Sequence, residues 1–275
     1  MESLNAHRSF YASLITASAG VPEGPVRSAF AHTPREDFVG EGPWKIVTAL
    51  GRIETPSADP TFIYQDILIA LTAEGPINNG QPSLHALCLS ALQVREGETV
   101  LHVGAGTGYY TAILSKLAGA RGSVFAYELE PEIGERAVKN LAAYPNVTVY
   151  IRSGSLPPLP ECDILYVNAG ATAPLDIWLD ALVPGGRLLF PLTPAEGFGG
   201  MLLLTRTAGK SFKARFLTRV MFIPCMGARD DETARRLGEA FKKEDFTDVR
   251  SLHRDSTPDK TCWFAGDNWW LSSRD

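Results

Sequence analysis

Cysteine is scarce in this chain of 275 residues. Its four cysteines, Cys88, Cys162, Cys225 and Cys262, lie far apart and form no CxxC pair or Cys/His cluster. This spacing predicts neither a disulfide framework nor a zinc site, so we expect no bound metal. Scattered single cysteines also favour a reducing, cytoplasmic setting.

Long apolar runs and an excess of charge are lacking as well. No apolar stretch approaches the ~20 residues that cross a bilayer. Residues 10–20 contain Ser13, Thr16 and Ser18, which interrupt the apolar run that a secretion signal needs. The net charge of -5 argues against broad nucleic-acid binding, which requires a basic face. We therefore expect a cytoplasmic protein with neither a membrane nor a nucleic-acid partner.

The middle of the chain contains a regular alternation of strand and helix patterns. Strand patterns occupy residues 99–103, 123–127, 147–151, 163–167 and 186–190. Helical patterns occupy residues 83–92, 109–118, 131–143 and 175–182. Such alternation predicts an α/β fold, a doubly wound Rossmann-like sheet whose mostly parallel strands are covered by helices on both faces.

The segments on either side of this alternation have other patterns. Residues 1–37 favour helices followed by turns, and residues 45–50 favour a strand. Two β-rich runs, 200–205 and 211–223, are joined by the Ala-Gly-Lys segment 208–210. They predict a hairpin, and hence a reversed strand, at one edge of the sheet.

A loop of alternating glycines carries the strongest chemical signal, because it follows the first strand of the alternation and precedes a helix. The loop and its acidic partner comprise Gly104, Ala105, Gly106, Thr107, Gly108, Tyr109, Glu128 and Leu129. Glycines allow a sharp turn and the close approach of a ligand. Glu128 ends the next strand, twenty residues after Gly108. An acid at that point can accept hydrogen bonds from the ribose hydroxyls of an adenosine cofactor.

The residue after the last glycine separates two classes of cofactor. Nicotinamide and flavin cofactors favour a third glycine at the position of Tyr109 and free helix N-terminal amides for a pyrophosphate. S-adenosyl-L-methionine (SAM) has no phosphate and tolerates Tyr109. The loop therefore favours SAM, and a tight structural turn beside a solvated Glu128 is the alternative without a ligand.

Five segments, in order, resemble the protein-L-isoaspartate O-methyltransferase family. They are TPREDFV at 33–39, QPSLHA at 81–86, VLHVGAGTGYYTAIL at 100–114, VPGGRLLFP at 183–191 and VMFIP at 220–224. The resemblance covers residues 29–227. It implies a doubly wound sheet with a reversed last strand and an N-terminal helical cap. It also implies SAM as cofactor and, as methyl acceptor, the isoaspartyl carboxylate of a peptide or protein.

Further site residues lie outside the glycine loop. On the acceptor side the candidates are Asn79, Gly80, Gln81, Ser83 and His85. Additional cofactor contacts are expected from Ser153, Gly154 and Ser155 after the third strand, and from Asn168 after the fourth. The carboxyl ends of strands are where open α/β sheets bind ligands. His102 replaces the family's acid in the first strand. For both His85 and His102, a structural role is the more common one at such positions.

Two positions depart from the family pattern. Gly80 stands where the family has a Ser or Thr near the transferred methyl group, and Ser153 stands where it has an Asp that bonds the adenine amino group. A hydroxyl acceptor is weaker than a carboxylate by about 1–2 kcal/mol. Two alternatives stay open: a small-molecule O- or N-methyltransferase with an altered acceptor pocket, and a non-catalytic SAM-binding module. If the pocket otherwise keeps the family geometry, Gly80→Ser should raise isoaspartyl methylation.

The chain ends in a tail that is rich in aromatic residues. Its phenylalanines and tryptophans are Phe241, Phe246, Trp263, Phe264, Trp269 and Trp270. Burial of two tryptophans alone is worth roughly 5 kcal/mol at about 25 cal/mol per Å². We therefore expect three parts: a cap with the acceptor-side segment (1–92), a SAM-binding Rossmann-like domain (93–228), and a C-terminal extension packed on the core (229–275).

The cofactor preference can be tested by isothermal titration calorimetry. SAM and S-adenosylhomocysteine (SAH) should bind with micromolar affinity, whereas NAD should not bind, because Tyr109 replaces the glycine that a pyrophosphate site favours. Binding of NAD alone would overturn the cofactor assignment.

Overall fold

The computed structural model describes residues 2–207, 211–243 and 245–274. The predicted hairpin turn at residues 208–210 lies outside the described residues. Contacts divide the chain into two compact units: unit 1 is Met1–Glu98 with Ala105–Arg152, and unit 2 is Thr99–Gly104 with Ser153–Asp275. The three-part division expected from the sequence stays a prediction. Among the described helices, none is long and apolar enough to cross a membrane.

Unit 1 contains six helices and five strands, numbered along the whole chain. The helices are α1 (Glu2–Ser18), α2 (Pro25–Ala31), α3 (Glu36–Val39), α4 (Pro82–Leu92), α5 (Tyr109–Ala118) and α6 (Pro131–Asn140). The strands are β1 (Lys45–Thr48), β2 (Gly51–Glu54), β3 (Leu68–Ile69), β5 (Ser123–Glu128) and β6 (Val147–Ile151), and a 3₁₀ turn spans Pro60–Ile63. β1 pairs antiparallel with β2 and β3, and β5 pairs parallel with β6.

Several helices of unit 1 start at the signals in their sequence. Pro25, Pro82 and Pro131 occupy the first turns of α2, α4 and α6, where a missing N–H costs no helical hydrogen bond. The strand predicted at 45–50 is shorter, because the chain turns and returns as β2. The helices and strands expected between residues 83 and 151 are otherwise confirmed, with only small shifts at their ends.

An aromatic cluster forms the core around the helix that follows the glycine loop. Tyr109, the first residue of α5, packs its ring against Phe30 at a centroid distance of 6.1 Å and against Phe38 at 5.6 Å. Tyr11 packs against Phe30 at 6.4 Å. Because these rings come from four helices, their packing fixes the start of α5 relative to the N-terminal helices.

Unit 2 is built on an eight-stranded sheet. Its strands are β4 (Thr99–Val103), β7 (Cys162–Val167), β8 (Leu182–Leu192), β9 (Gly199–Arg206), β10 (Phe212–Val220), β11 (Ser251–Arg254), β12 (Cys262–Ala265) and β13 (Trp269–Ser272). Its helices are α7 (Asp176–Ala181) and α8 (Asp231–Lys243), and a 3₁₀ turn spans Phe246–Asp248. The strand order is β12-β13-β11-β10-β9-β8-β7-β4. β4, β7 and β8 are parallel, and every pairing from β8 to β12 is antiparallel.

The predicted hairpin is present as β9 and β10, but it does not lie at the edge of the sheet. β11 pairs with β10, placing Leu252 opposite Phe212, and β13 and β12 follow it. The expectation of a hairpin at the edge was therefore wrong. Each of the three tail strands has four residues, too few for a clear alternation of apolar and polar side chains.

The tail packs within unit 2, as its aromatic residues predicted. Phe216 of β10 contacts the rings of Phe241, Phe246 and Trp263 at centroid distances of 5.7, 5.2 and 5.5 Å. All four side chains are buried. The tail aromatics therefore complete a core whose other wall is the antiparallel part of the sheet.

Phe241→Ala should destabilise the protein by about 3–5 kcal/mol, because it leaves a cavity in this aromatic core. Phe198→Ala is the matched control: Phe198 is 53% exposed, so its truncation should change the free energy of unfolding by at most about 0.5 kcal/mol. Urea unfolding monitored by tryptophan fluorescence measures both. Equal small effects would show that the tail does not stabilise unit 2.

Candidate active site

Hydrogen bonds from backbone N–H groups connect the glycine loop with Glu128 and the end of β5 in unit 1. Glu128 is the last residue of β5, and its Oε2 accepts a hydrogen bond from the N–H of Gly106 at 2.7 Å. Its Oε1 accepts from the N–H of Glu130 at 3.0 Å. The N–H of Ala105 donates to the carbonyl oxygen of Tyr127 at 3.1 Å. The carboxylate thus ties the loop to the end of β5.

Glu128 is a buried acid. Among the described groups that shift its pKa, none is a cation. Glu128 is 9% exposed. Burial raises the pKa of Glu128, the N–H groups of Glu130, Gly106 and Leu129 lower it, and the Glu130 carboxylate raises it further. A desolvated carboxylate of this kind is a strong acceptor for neutral donors such as hydroxyl groups.

Gly106 and Gly108 of the loop differ in the surroundings that a side chain would meet. Both adopt left-handed backbone conformations, with φ of 57° at Gly106 and 99° at Gly108. A Cβ on Gly108 would lie 2.7 Å from Cδ1 of Leu141, so packing excludes a side chain there. A Cβ on Gly106 would come no closer than 3.6 Å, to Cδ1 of Leu71. Packing therefore does not exclude a side chain at Gly106, and the left-handed backbone is the feature that favours glycine there.

Two other residues of the predicted cofactor set face the core. The Thr107 hydroxyl donates to the carbonyl oxygen of Phe38, and Asn140 Nδ2 donates to the Thr107 carbonyl at 2.9 Å. The Tyr109 ring lies in the aromatic cluster. The side chains of Thr107 and Tyr109 are therefore engaged in the core and not directed to a ligand. Leu129, by contrast, is 41% exposed.

The predicted acceptor-side segment is held rigidly by its own amides. Asn79 Oδ1 accepts from the N–H of Ile69 at 2.7 Å, and the N–H of Asn79 donates to the carbonyl of Ile69 at 3.0 Å. Asn78 Oδ1 accepts from the N–H of Gly80 at 2.9 Å. The Tyr110 hydroxyl donates to the carbonyl of Gly80 at 3.3 Å. These bonds leave the segment little freedom to move.

His85 fills the space beside Gly80. Gly80 has a left-handed φ of 72°, and a Cβ built on it would lie 2.2 Å from Nε2 of His85. His85 is itself fixed: it is 2% exposed and stacks on Tyr110 with ring centroids 3.5 Å apart. Gly80→Ser therefore cannot be accommodated without a shift of His85, because imidazole occupies the room that the new side chain needs. The gain in isoaspartyl methylation expected from this substitution stays a prediction.

Ser83 is held by an acid that the sequence analysis missed. Asp66 Oδ1 accepts from the N–H of Ser83 at 2.8 Å, and Oδ2 accepts from its hydroxyl at 2.6 Å. Gln81 Nε2 also donates to Oδ2, at 3.0 Å. Asp66 therefore caps the start of α4. It lies 17 residues before Ser83, and no local pattern signals that distance.

Arg35 in turn holds the segment that carries Asp66. Its side chain is fully buried, Nη1 donates to the carbonyls of Ile63 and Gln65, and Nη2 donates to that of Ile67. The guanidinium also lies over the ring of Tyr11, 5.6 Å from its centroid. The TPREDFV segment thus positions the acceptor side through backbone carbonyls.

In unit 2, the first glycine of the loop packs beside Asn168. The N–H of Asn168 donates to the carbonyl of Val103 at 2.8 Å, and a Cβ on Gly104 would lie 3.4 Å from the carbonyl carbon of Asn168. Asn168 Nδ2 lies 2.7 Å from Nε2 of His102. Burial lowers the pKa of His102 to about 3, so this imidazole is neutral at physiological pH.

The Ser153–Ser155 segment of unit 2 forms a local hydroxyl network. Ser153 Oγ accepts from the N–H of Ser155 at 3.1 Å and lies 2.6 Å from its Oγ. The Ser155 hydroxyl donates to the carbonyl of Met226 at 3.1 Å, and Trp178 Nε1 donates to the carbonyl of Gly154 at 2.9 Å. Ser153 therefore shapes its own turn. Its predicted contact with adenine stays a prediction.

Comparison with known proteins decides the family. The model of the protein-L-isoaspartate(D-aspartate) O-methyltransferase family matches residues 16–230. The chain belongs to this family. Protein-L-isoaspartate O-methyltransferase 2 of Anaeromyxobacter sp. is 32% identical over 217 residues, which are 76% of this chain and 78% of that protein. Protein-L-isoaspartate O-methyltransferase of Methylorubrum populi is 34% identical over 191 residues, 66% and 86% of the two chains.

Solved structures show the same fold. A protein-L-isoaspartate O-methyltransferase superposes with a TM-score of 0.67 at 24% identity, covering 86% of this chain and 69% of that one. A Plasmodium falciparum protein described as a methyltransferase of this kind, solved with SAH, superposes with a TM-score of 0.64 at 16% identity. It covers 79% of this chain and 97% of that one. The predicted Rossmann-like methyltransferase fold is thereby confirmed.

Gly80→Ser should lower the free energy of unfolding by about 1–3 kcal/mol. The new side chain collides with His85, and the serine must keep a left-handed backbone conformation that is unfavourable for it. Gly75→Ser is the matched control, since Gly75 has a φ of 81° but no atom within 4 Å of the point where a Cβ would lie. Thermal unfolding of both variants separates the collision from the backbone strain. A Gly80→Ser variant that is no less stable than Gly75→Ser would contradict this account of His85.

Proposed function

We propose that this protein transfers the methyl group of SAM to the isoaspartyl carboxylate of a peptide or protein, forming a methyl ester. The observation that carries the proposal is the buried Glu128 carboxylate, bonded to the N–H of Gly106 at the end of β5. Membership of the isoaspartate methyltransferase family supplies the reaction class.

The residues of unit 1 fit an adenosine cofactor of this kind. An ionised carboxylate offers about four acceptor positions. The backbone N–H groups of Gly106 and Glu130 donate to the Glu128 carboxylate, which leaves about two acceptor positions for the ribose hydroxyls. Gly106 lets a ligand approach without a Cβ in the way. Glu128 would therefore hold the ribose, and the loop backbone would line the cofactor. Gly104, Ser153 and Asn168 of unit 2 are proposed as further contacts.

The reaction requires little acid–base catalysis by the protein. Bound SAM supplies a methyl carbon that is already activated by the adjacent sulfonium. An isoaspartyl carboxylate is ionised at neutral pH, so its oxygen needs no general base. The new C–O bond forms as the C–S bond breaks, and the bonding pair remains on sulfur. The task of the residues is to position the two reactants and exclude water from them.

The acceptor-side segment would position the methyl acceptor because hydrogen bonds hold the segment rigid. Asn78 and Asn79 bond to the backbone of their own segment and of β3, and Tyr110 holds the carbonyl of Gly80. Asp66 fixes the start of α4 through Ser83. A segment anchored in this way keeps one geometry, which reduces the entropy lost when an acceptor is oriented.

A second candidate function rests on the environment of Gly80. Gly80 stands where the family has a Ser or Thr, and His85 occupies the space beside it, so the acceptor region lacks that hydroxyl. This observation favours a small-molecule O- or N-methyltransferase as the alternative.

Transfer of labelled methyl from SAM distinguishes the two functions. With a peptide containing one isoaspartyl residue, we expect incorporation of label into a product that releases methanol in mild base, as a methyl ester does. The same peptide with an ordinary aspartyl residue is the matched control and should stay unlabelled. Label that enters only small molecules of a cell extract would favour the alternative function, and no label in either would contradict both.

Glu128→Gln should weaken the binding of SAH by about 1–3 kcal/mol, because an amide is a poorer acceptor and presents only one carbonyl oxygen. Glu132→Gln, an exposed change in the first turn of α6, should leave the affinity unchanged. Calorimetric titration of both variants measures the difference. Equal SAH affinities of the two variants would show that Glu128 does not bind the cofactor.

A further inference from the structure

The side-chain amide of Asn168 has one atom without a partner. Its Oδ1 is buried and forms no hydrogen bond with any described residue, although Nδ2 lies 2.7 Å from Nε2 of His102. An unpaired buried acceptor is costly to stability and calls for an explanation. Exchanging the oxygen and nitrogen of the amide would only move the unpaired position to the nitrogen.

His102 determines how the amide of Asn168 is oriented. The imidazole is fully buried in β4 and stacks on Tyr166 with centroids 5.5 Å apart. Because burial lowers the pKa of His102 to about 3, the ring is neutral, and in the tautomer that carries its proton on Nδ1 the Nε2 atom accepts a hydrogen bond from Asn168 Nδ2. That bond reserves Oδ1 for another donor.

The unpaired oxygen lies beside the point where two parallel strands end. β4 and β7 are neighbours, with Val103 opposite Val167, and Gly104 and Asn168 follow them directly. A Cβ on Gly104 would lie 3.7 Å from Cβ of Asn168, so the glycine lies directly beside this residue. The carboxyl ends of strands are where open α/β sheets bind ligands. Asn168 as a whole is only partly buried, although its Oδ1 is buried.

We propose that Asn168 accepts a hydrogen bond from the α-ammonium group of the methionine moiety of SAM, and that His102 is the positioning residue for this contact. The inference rests on the proposed use of SAM. An ammonium group has three N–H donors and no acceptor, so it complements an amide oxygen whose nitrogen is already engaged. In this chain, His102 and Asn168 together provide this contact. His102 stands where the family has an acid.

The first test uses the wild-type protein and three ligands in calorimetric titrations. They are SAH, an SAH analogue whose α-ammonium group is replaced by hydrogen, and 5′-methylthioadenosine, which lacks the amino-acid part. SAH should bind about tenfold more tightly than the analogue lacking the ammonium group. Equal affinity for these two ligands would overturn the inference, whatever the variants do. Failure of all three to bind would refute the use of SAM itself, together with the inference that rests on it.

The second test assigns the contact to Asn168. Asn168→Leu should weaken SAH binding about tenfold while 5′-methylthioadenosine binds as before, and it should abolish the difference between SAH and the analogue. His102→Leu should weaken SAH binding in the wild-type background but add no further loss to Asn168→Leu, because it acts through Asn168. Asn268→Leu, at an exposed position of the tail, is the matched control and should change nothing.

Each remaining outcome of the second test counts against the inference. Equal weakening of SAH and 5′-methylthioadenosine by Asn168→Leu would show a general disturbance of the sheet, and unchanged SAH binding would show that Asn168 makes no contact. An additional loss from His102→Leu in the double variant would contradict its positioning role. Should Asn168→Leu fail to fold, the wild-type ligand comparison decides the ammonium contact, and His102→Gln, which retains a polar side chain, should bind SAH more tightly than His102→Leu.

Discussion

The hydrogen bond between the Glu128 carboxylate and the N–H of Gly106 is the interaction on which the candidate site depends. It links the end of β5 to a loop whose glycines adopt left-handed conformations that other residues rarely take. The carboxylate is buried without a cation among the described groups that shift its pKa. Backbone N–H groups offset its desolvation in part, and its oxygens retain acceptor capacity for a ligand. The same residue therefore shapes the loop and is the polar contact that we propose for the cofactor.

The helix after the loop is fixed by packing rather than by a phosphate. Tyr109 begins α5 and buries its ring among Phe30 and Phe38. A glycine at this position would free the helix terminus for a pyrophosphate, whereas a buried tyrosine anchors the helix in the core of unit 1. This difference explains physically why the loop suits a cofactor without phosphates.

Much of the fold could be predicted from the sequence, because long elements carry strong periodic signals. The helix at 109–118 and the strands at 99–103 and 147–151 match the structure to the residue. The short tail strands could not be predicted, since four residues show little periodicity and pair only in the context of β10. The aromatic residues of the tail nevertheless predicted its burial.

The candidate site could be predicted only in part. The glycines and Glu128 form a local pattern with a fixed spacing, so the sequence alone indicates them. Asp66 acts on Ser83 across 17 residues, and His85 excludes a side chain at Gly80 through a collision that only three-dimensional packing reveals. The effect of Gly80→Ser on isoaspartyl methylation therefore stays a prediction, because spacing alone did not reveal that His85 occupies the room beside Gly80. Contacts between distant segments are invisible to spacing arguments.

A crystal structure of the wild-type protein with SAH would test the central claim most directly. The account predicts that the ribose hydroxyls lie within about 3 Å of the Glu128 carboxylate oxygens. The hydrogen bond from the Gly106 N–H to Glu128 should remain in place beside the ligand. A ligand bound elsewhere, or a ribose without contact to Glu128, would contradict the account.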